Sequence, residues 1–167
     1  EECLKRGAEV TLVSGPVQLT LAHPSLNLVR VETAQQMYEA ASKVFEACDI
    51  AILSAAVADY KPETTETQKI KKKDPDMQLK LIKTVDIAAG LGLGKKDGQT
   101  MVGFALETND EMNHALQKMH KKNFDFIVLN SLQDKGAGFQ HDTNKITILD
   151  KNGDVTEFSL KPKTEVA

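Results

Sequence analysis

Apolar residues gather along the chain in short runs at 10–13, 28–31, 50–56, 101–105 and 126–129, each bounded by polar or turn-forming residues. Runs of this length predict buried strands. Between them the stretch AQQMYEAASKVFEA changes period: Met37, Ala41, Val44, Phe45 and Cys48 fall at helical offsets on one face. Thr33 and Gln36 have the spacing of a capping box at its start. A second helix is predicted after Thr108, with Glu111 as the capping-box partner and Met112, Ala115, Leu116 and Met119 as its apolar stripe. The alternation predicts an α/β fold on a doubly wound, mostly parallel sheet.

Two regions depart from that alternation. NKITILDKNGDVTEFSL alternates side chains about Asn152-Gly153, the signature of an antiparallel hairpin with a two-residue turn. MQLKLI also alternates and is expected on an edge or an outlying ribbon. At the other end, EECLKRG reads as the last turns of a helix closed by Gly7. A helix in that position of a parallel sheet normally follows a strand and a loop, so the domain's first strand and loop are expected ahead of residue 1.

With 167 residues, 41% of them hydrophobic, the chain is sized for a single domain spanning 1–167. Its net charge of −3 argues against a general attraction to nucleic acid or anionic membrane, so any basic patch must be local. Two tyrosines, six phenylalanines and no tryptophan also supply a base-stacking surface poorly. Cys3 and Cys48 lack metal or redox spacing and read as reduced core thiols of a cytoplasmic protein. His23, His114, His120 and His141 likewise show no metal spacing and read as surface or structural residues.

Several stretches carry candidate chemistry. A nicotinamide site would usually place Asp or Glu at the end of the second strand, where this chain has Ser14-Gly15-Pro16. GLGLG at 90–94 follows a helix pattern and reads as a helix end instead of a phosphate loop. Asp59 sits past the run 50–56, at the strand end where open α/β sheets hold ligands; an ordinary Asp turn is the alternative. Small residues at Ser54, Ala55, Ala56 and Ala58 would let a flat group approach the backbone. Lys69, Lys71, Lys72 and Lys73 form a charge run, followed by Lys80 and Lys83. Thr84 is the expected N-cap of a short helix through Asp86 to Ala89, whose amides would form an anion site. Lys118 and Lys122 share a helix face, with Lys121 alongside. These cationic elements in an acidic protein point to a polyanionic small molecule. Gly103, inside the strand MVGFALETN, either relieves packing or brings backbone close to a ligand.

Read in order, GAEVTLVSGP, SAAVADYKP, KIKK, GFALET, the lysine-bearing helix, NSLQDKGAGF and DTNKITIL resemble phosphopantothenoylcysteine synthetase along nearly the whole chain. This is the coenzyme A biosynthetic domain that bacteria often fuse behind a flavin-dependent decarboxylase. The resemblance implies a Rossmann-like cytoplasmic homodimer that joins 4′-phosphopantothenate to cysteine through an acyl-cytidylate. It implies CTP and Mg2+, with FMN confined to a fused decarboxylase domain, and no nucleic-acid or membrane partner. Lys69 is similar to the family's catalytic lysine, on a flap tethered by PETTETQ. Asp59, Leu53, Ser54, Ala55 and Phe104 match nucleotide-contacting positions, as do Lys118 and Lys122. Val85, Asp86, Ile87 and Ala88 match a contacting helix start, where the family often has Asn-Pro-Asp and this chain has Thr84-Val85-Asp86, so contacts there are expected through amides. Asn130, Asp142 and Asn144 match family loops without an assigned role. The phosphopantothenate-side loop is expected ahead of residue 1, and with it full synthetase activity. A noncatalytic nucleotide-binding module is the alternative, and a nicotinamide reductase ranks last.

Overall fold

The computed structural model describes residues 1–70, 77–107, 110–131 and 142–167. The chain opens with α1 (Glu2–Lys5), β1 (Val10–Ser14), β2 (Leu26–Arg30), α2 (Ala34–Phe45) and β3 (Ile50–Leu53). A ribbon of β4 (Tyr60–Pro62) and β5 (Leu81–Lys83) follows, then α3 (Ile87–Leu93), β6 (Thr100–Glu107), α4 (Glu111–Lys122) and β7 (Phe126–Ser131). The last part holds β8 (Thr143–Asn144), β9 (Ile146–Asp150), β10 (Val155–Glu157), β11 (Lys161–Pro162) and α5 (Lys163–Val166).

The main sheet has the order β10-β9-β7-β6-β3 and is mixed. β3, β6 and β7 run parallel, whereas β9 joins β7, and β10 joins β9, antiparallel. β1 and β2 pair in parallel as a separate two-stranded sheet. The α/β class therefore holds, but the parallel part is divided. Among the described residues β1 and β3 each keep one unpaired edge, and apolar side chains stand open there: Leu12 is 42% exposed, Ile50 60% and Ile52 51%. β4 and β5 pair antiparallel outside the main sheet, which is the outlying ribbon that the alternation of MQLKLI predicts.

Local chemistry explains most element ends. α1 closes as the sequence predicts: Gly7 adopts φ 84°, Gly7 N–H donates to Leu4 O (3.0 Å) and Ala8 N–H to Cys3 O (3.0 Å), the paired bonds of a Schellman end. α2 carries the expected capping box, with Gln36 N–H donating to Thr33 Oγ1 (3.1 Å) and Gln36 Oε1 accepting from Thr33 N–H (3.1 Å). α4 differs. Its N-cap is Asp110, in the left-handed region at φ 46°, and Glu111 is the first helical residue instead of the third; Thr108 lies outside the described residues. The hairpin also differs from a two-residue turn. Asp150 N–H donates to Asp154 O (3.0 Å), leaving Lys151, Asn152 and Gly153 as a three-residue loop with Gly153 at φ 94°. The Asp150 carboxylate accepts from Asn152 N–H (2.8 Å) and Asp154 N–H (2.9 Å), which fixes the longer loop.

The core lies between the main sheet and α2, α3 and α4: Phe45, Leu91, Met101, Ala105, Ala115, Met119, Phe124, Ile127, Leu129 and Leu149 are buried together. Cys48 packs against this cluster, and burial with the neighbouring Asp49 charge raises its thiol pKa. Cys3 is exposed, contrary to its reading as a core thiol, because the short α1 turns only Leu4 inward. Among the described residues no helix is long and apolar enough to cross a membrane.

Candidate functional site

The carboxyl ends of β3 and β6 lie side by side. Leu53 pairs with Gly103 as the last rung between the two strands, so Ser54 continues from β3 at the level of Phe104. The predicted strand 50–56 thus stops three residues early, and Ser54, Ala55 and Ala56 are exposed backbone-rich chain beyond it. Phe104 is 42% exposed beside them. Gly103 is explained by packing: a Cβ there would stand 2.4 Å from the Phe124 ring, so the open site its backbone could have offered is filled.

Thr84 brings the next two segments together. Its N–H donates to Asp59 O (2.9 Å) and its hydroxyl to Ala58 O (2.5 Å), tying the chain after β3 to the entry of α3. This displaces Thr84 from the expected N-cap role. Asp86 is the N-cap, with Oδ1 accepting from Ala89 N–H (3.1 Å). One of the first-turn amides of the anion site expected here, Ala89 N–H, therefore already faces a carboxylate. An Asp directly ahead of the apolar IAAGLGL is itself a strong capping signal that sequence reasoning passed over. Val85, Ile87 and Ala88 are half-buried, and Asp59 is exposed.

From α4, Lys122 Nζ reaches the Asp86 carboxylate at 3.0 Å, and Lys118 stands exposed one turn earlier on that helix. Partial burial works to raise the Asp86 carboxyl pKa, but the Ala89 N–H and the Lys122 ammonium outweigh it and hold the group below the usual value. Asp86 is thus ionised at neutral pH. Gly90 and Gly92, part of the glycine-rich GLGLG, sit inside α3 as the helix reading expects. A Cβ on Gly90 would stand 2.5 Å from the Tyr38 ring, and one on Gly92 2.2 Å from Lys122 O. They allow α2 and α4 to approach α3.

Lys69 is exposed, outside any strand or helix; Lys71, Lys72 and Lys73 lie outside the described residues. The structure therefore groups Leu53, Ser54, Ala55 and Phe104 at one strand level and links Asp59 to the 84–88 segment. Lys118 and Lys122 share α4. Asn130, near the end of β7, accepts from Asn144 Nδ2 (3.0 Å), and Asn144 Oδ1 is buried without a hydrogen-bond partner among the described residues. Among the described residues no group of three or more His, Cys, Asp or Glu could hold a metal ion, so they offer no preformed cage for magnesium. His23 is structural, its Nδ1 accepting from Ser25 N–H (3.1 Å); His141 lies outside the described residues.

A charge cluster that sequence reasoning missed lies at the opposite, amino ends of β6 and β7. The buried Asp125 carboxylate accepts from Lys95 Nζ (2.5 Å), Met101 N–H (2.7 Å) and Lys151 Nζ (3.0 Å). Burial pushes its pKa up, yet these donors, Lys95 first, outweigh it and hold the carboxyl below the usual range. The available signal was one Asp set between two phenylalanines at the head of an apolar strand.

The family model of the DNA/pantothenate metabolism flavoprotein C-terminal domain matches residues 1–167. A cysteine/cysteine sulfinic acid decarboxylase from an unknown prokaryotic organism is 54% identical over 161 residues, covering 96% of this chain and 45% of that protein. The coenzyme A biosynthesis bifunctional protein CoaBC of Bacillus subtilis (strain 168) is 43% identical over 167 residues, covering 100% of this chain and 41% of that protein. The chain thus spans less than half the length of these two relatives. The crystal structure of the C-terminal domain of CoaBC superposes with a TM-score of 0.80 at 36% identity, over 99% of this chain and 72% of that one. With the family model matched from end to end and the same α/β architecture in a solved relative, the chain belongs to the DNA/pantothenate metabolism flavoprotein C-terminal domain family.

Proposed function

We propose that this chain is the ligase part of a bifunctional coenzyme A biosynthesis protein, joining 4′-phosphopantothenate to cysteine at the expense of CTP through an acyl-cytidylate. The observation that carries this reading is the similarity of this chain, along its whole length, to part of CoaBC proteins. The juxtaposition of the 53–55 segment with Phe104, and of Asp59 with the 84–88 segment, supports it.

Attack of a carboxylate on an α-phosphate needs alignment and neutralisation of charge more than a side-chain nucleophile. In this reading Ser54, Ala55 and Phe104 form a wall against the nucleotide, and Asp59 offers a carboxylate to its ribose. Lys118 and Lys122 face its phosphates. Lys69 is the catalytic lysine, brought in on the exposed segment after β4 to offset charge as the acyl-cytidylate forms and is consumed. Magnesium enters with the nucleotide, since Mg2+ is ordinarily held by substrate phosphates and few carboxylates. FMN belongs to a decarboxylase domain fused to the ligase.

Two further parts complete the reading. The open edges of β1 and β3, where Leu12, Ile50 and Ile52 stand exposed, are where a further strand would pair. The β4–β5 ribbon, with Tyr60 54% exposed and Leu81 54% exposed, is the surface assigned to a second copy, because an isolated two-stranded ribbon is marginally stable. Sedimentation should give a dimer that Leu81→Lys dissociates; a dimer unchanged by that substitution removes the ribbon from the interface.

The main test is release of CMP from CTP in the presence of phosphopantothenate and cysteine, using the longest natural polypeptide that carries this chain. Lys69→Gln should lower the rate by about 100- to 1000-fold, the range seen for loss of one charge-stabilising donor. Unchanged amide formation in that variant would remove Lys69 from catalysis. CTP binding with no CMP from the unmutated protein would favour a noncatalytic nucleotide-binding module.

A further inference from the structure

The seam between α3 and α4 is fixed at both of its ends. At the α3 carboxyl end, the absence of a side chain at Gly92 admits the Lys122 carbonyl, Asn123 Nδ2 donates to Gly92 O (3.1 Å), and Lys95 Nζ donates to Asn123 O (3.2 Å). At the α3 amino end, Asp86 Oδ1 accepts from Ala89 N–H (3.1 Å) and stands 3.0 Å from Lys122 Nζ. The backbone of Lys122 is therefore set by one contact and its ammonium by the other. A lysine otherwise has many rotamers to lose when it meets a ligand.

We propose that Asp86 is a positioning residue that acts through Lys122. It holds the ammonium beside α3, in line with Lys118 one turn nearer the carboxyl ends of the strands, so that a nucleoside triphosphate meets a preset cationic edge. This deepens the nucleotide reading and rests on it. Two effects of the carboxylate oppose each other: it pre-orders Lys122, and its charge repels phosphate. Both partners are partly solvated, with Asp86 44% and Lys122 25% exposed, so water and salt weaken the repulsion while leaving the ordering intact. Ordering wins.

The test is a double-mutant cycle on CTP affinity in the longest natural polypeptide that carries this chain. Asp86→Asn keeps the cap, since Asn serves an N-cap as well as Asp does, and should lower the melting temperature only by the small share of the partly exposed Lys122 ion pair. It should weaken CTP binding by about two- to tenfold, the range for ordering one long side chain. Lys122→Gln should weaken it at least as much, and the double variant should be no weaker than Lys122→Gln alone. Additive losses would mean that Asp86 acts on the nucleotide independently of Lys122, and tighter binding in Asp86→Asn would mean that it acts as a competitor; either result overturns the proposal. If the unmutated protein binds neither CTP nor inorganic tripolyphosphate, the nucleotide reading falls and takes this one with it. If it binds and the cycle is additive, only the positioning role falls.

Discussion

The two ends of the main sheet treat charge in opposite ways. At the amino ends of β6 and β7, Asp125 is 6% exposed and satisfied by two lysines and a backbone amide. At the carboxyl end of β3, Asp59 is exposed, Ser54 to Ala56 present little but backbone, and Phe104 lies open beside them. The first end pins together the α3–β6 loop, the start of β7 and the β9–β10 loop. The second leaves polar and aromatic groups available to something outside the chain. A perturbed carboxyl pKa therefore does not by itself mark function here: Asp86 and Asp125 both have one, and Asp125 belongs to the scaffold.

Substitutions that separate stability from ligand affinity sharpen this contrast. The largest stability effect is expected from Asp125→Ala, which strands the nearly buried Lys95 ammonium and the Met101 N–H. Chemical denaturation should show a loss of about 3–5 kcal/mol, the usual cost of removing one partner of a buried pair. CTP affinity measured on the folded fraction should hold. A fall in affinity matching the fall in stability would break the distinction between the two ends.

Acid should act through the same group. Because the folded-state pKa of Asp125 is depressed, its stabilising share is fully present above the unfolded value of about 3.9 and is lost as the pH falls through the depressed one. Melting curves should therefore drop below about pH 4 in the unmutated protein and flatten there in Asp125→Ala.

A smaller effect, with the opposite balance, is expected at the carboxyl end. Thr84→Val removes the hydroxyl bond to Ala58 O and should cost about 0.5–1.5 kcal/mol of stability. Its larger consequence should be weaker CTP binding, since the chain carrying Asp59 loses one of its two ties to α3. Unaltered affinity in this variant would show that the tie is dispensable for the site.

Much of the scaffold could be read from residue order because the deciding forces were local. The capping box of Thr33 and Gln36, the Gly7 helix end and the strand–helix alternation each depend on neighbours a few residues apart. Thr84 misled for the same reason: a Thr ahead of a short helix is a good cap, but here its bonds go to Ala58 and Asp59, 26 and 25 residues back along the chain. Gly103 left two readings open until the Phe124 ring appeared against it.

What the sequence determined by itself was the class of fold, most of its elements and a family resemblance that placed Lys69, Asp59 and the α4 lysines among the residues to watch. Tertiary structure alone decided that β1 and β2 stand as a separate sheet, that Asp86 both caps α3 and meets Lys122, and that Asp125 anchors the amino end. Periodicity and capping are fixed by short stretches of backbone. Which carboxylate finds which cation depends on contacts between segments far apart in the chain, and no local pattern encodes those.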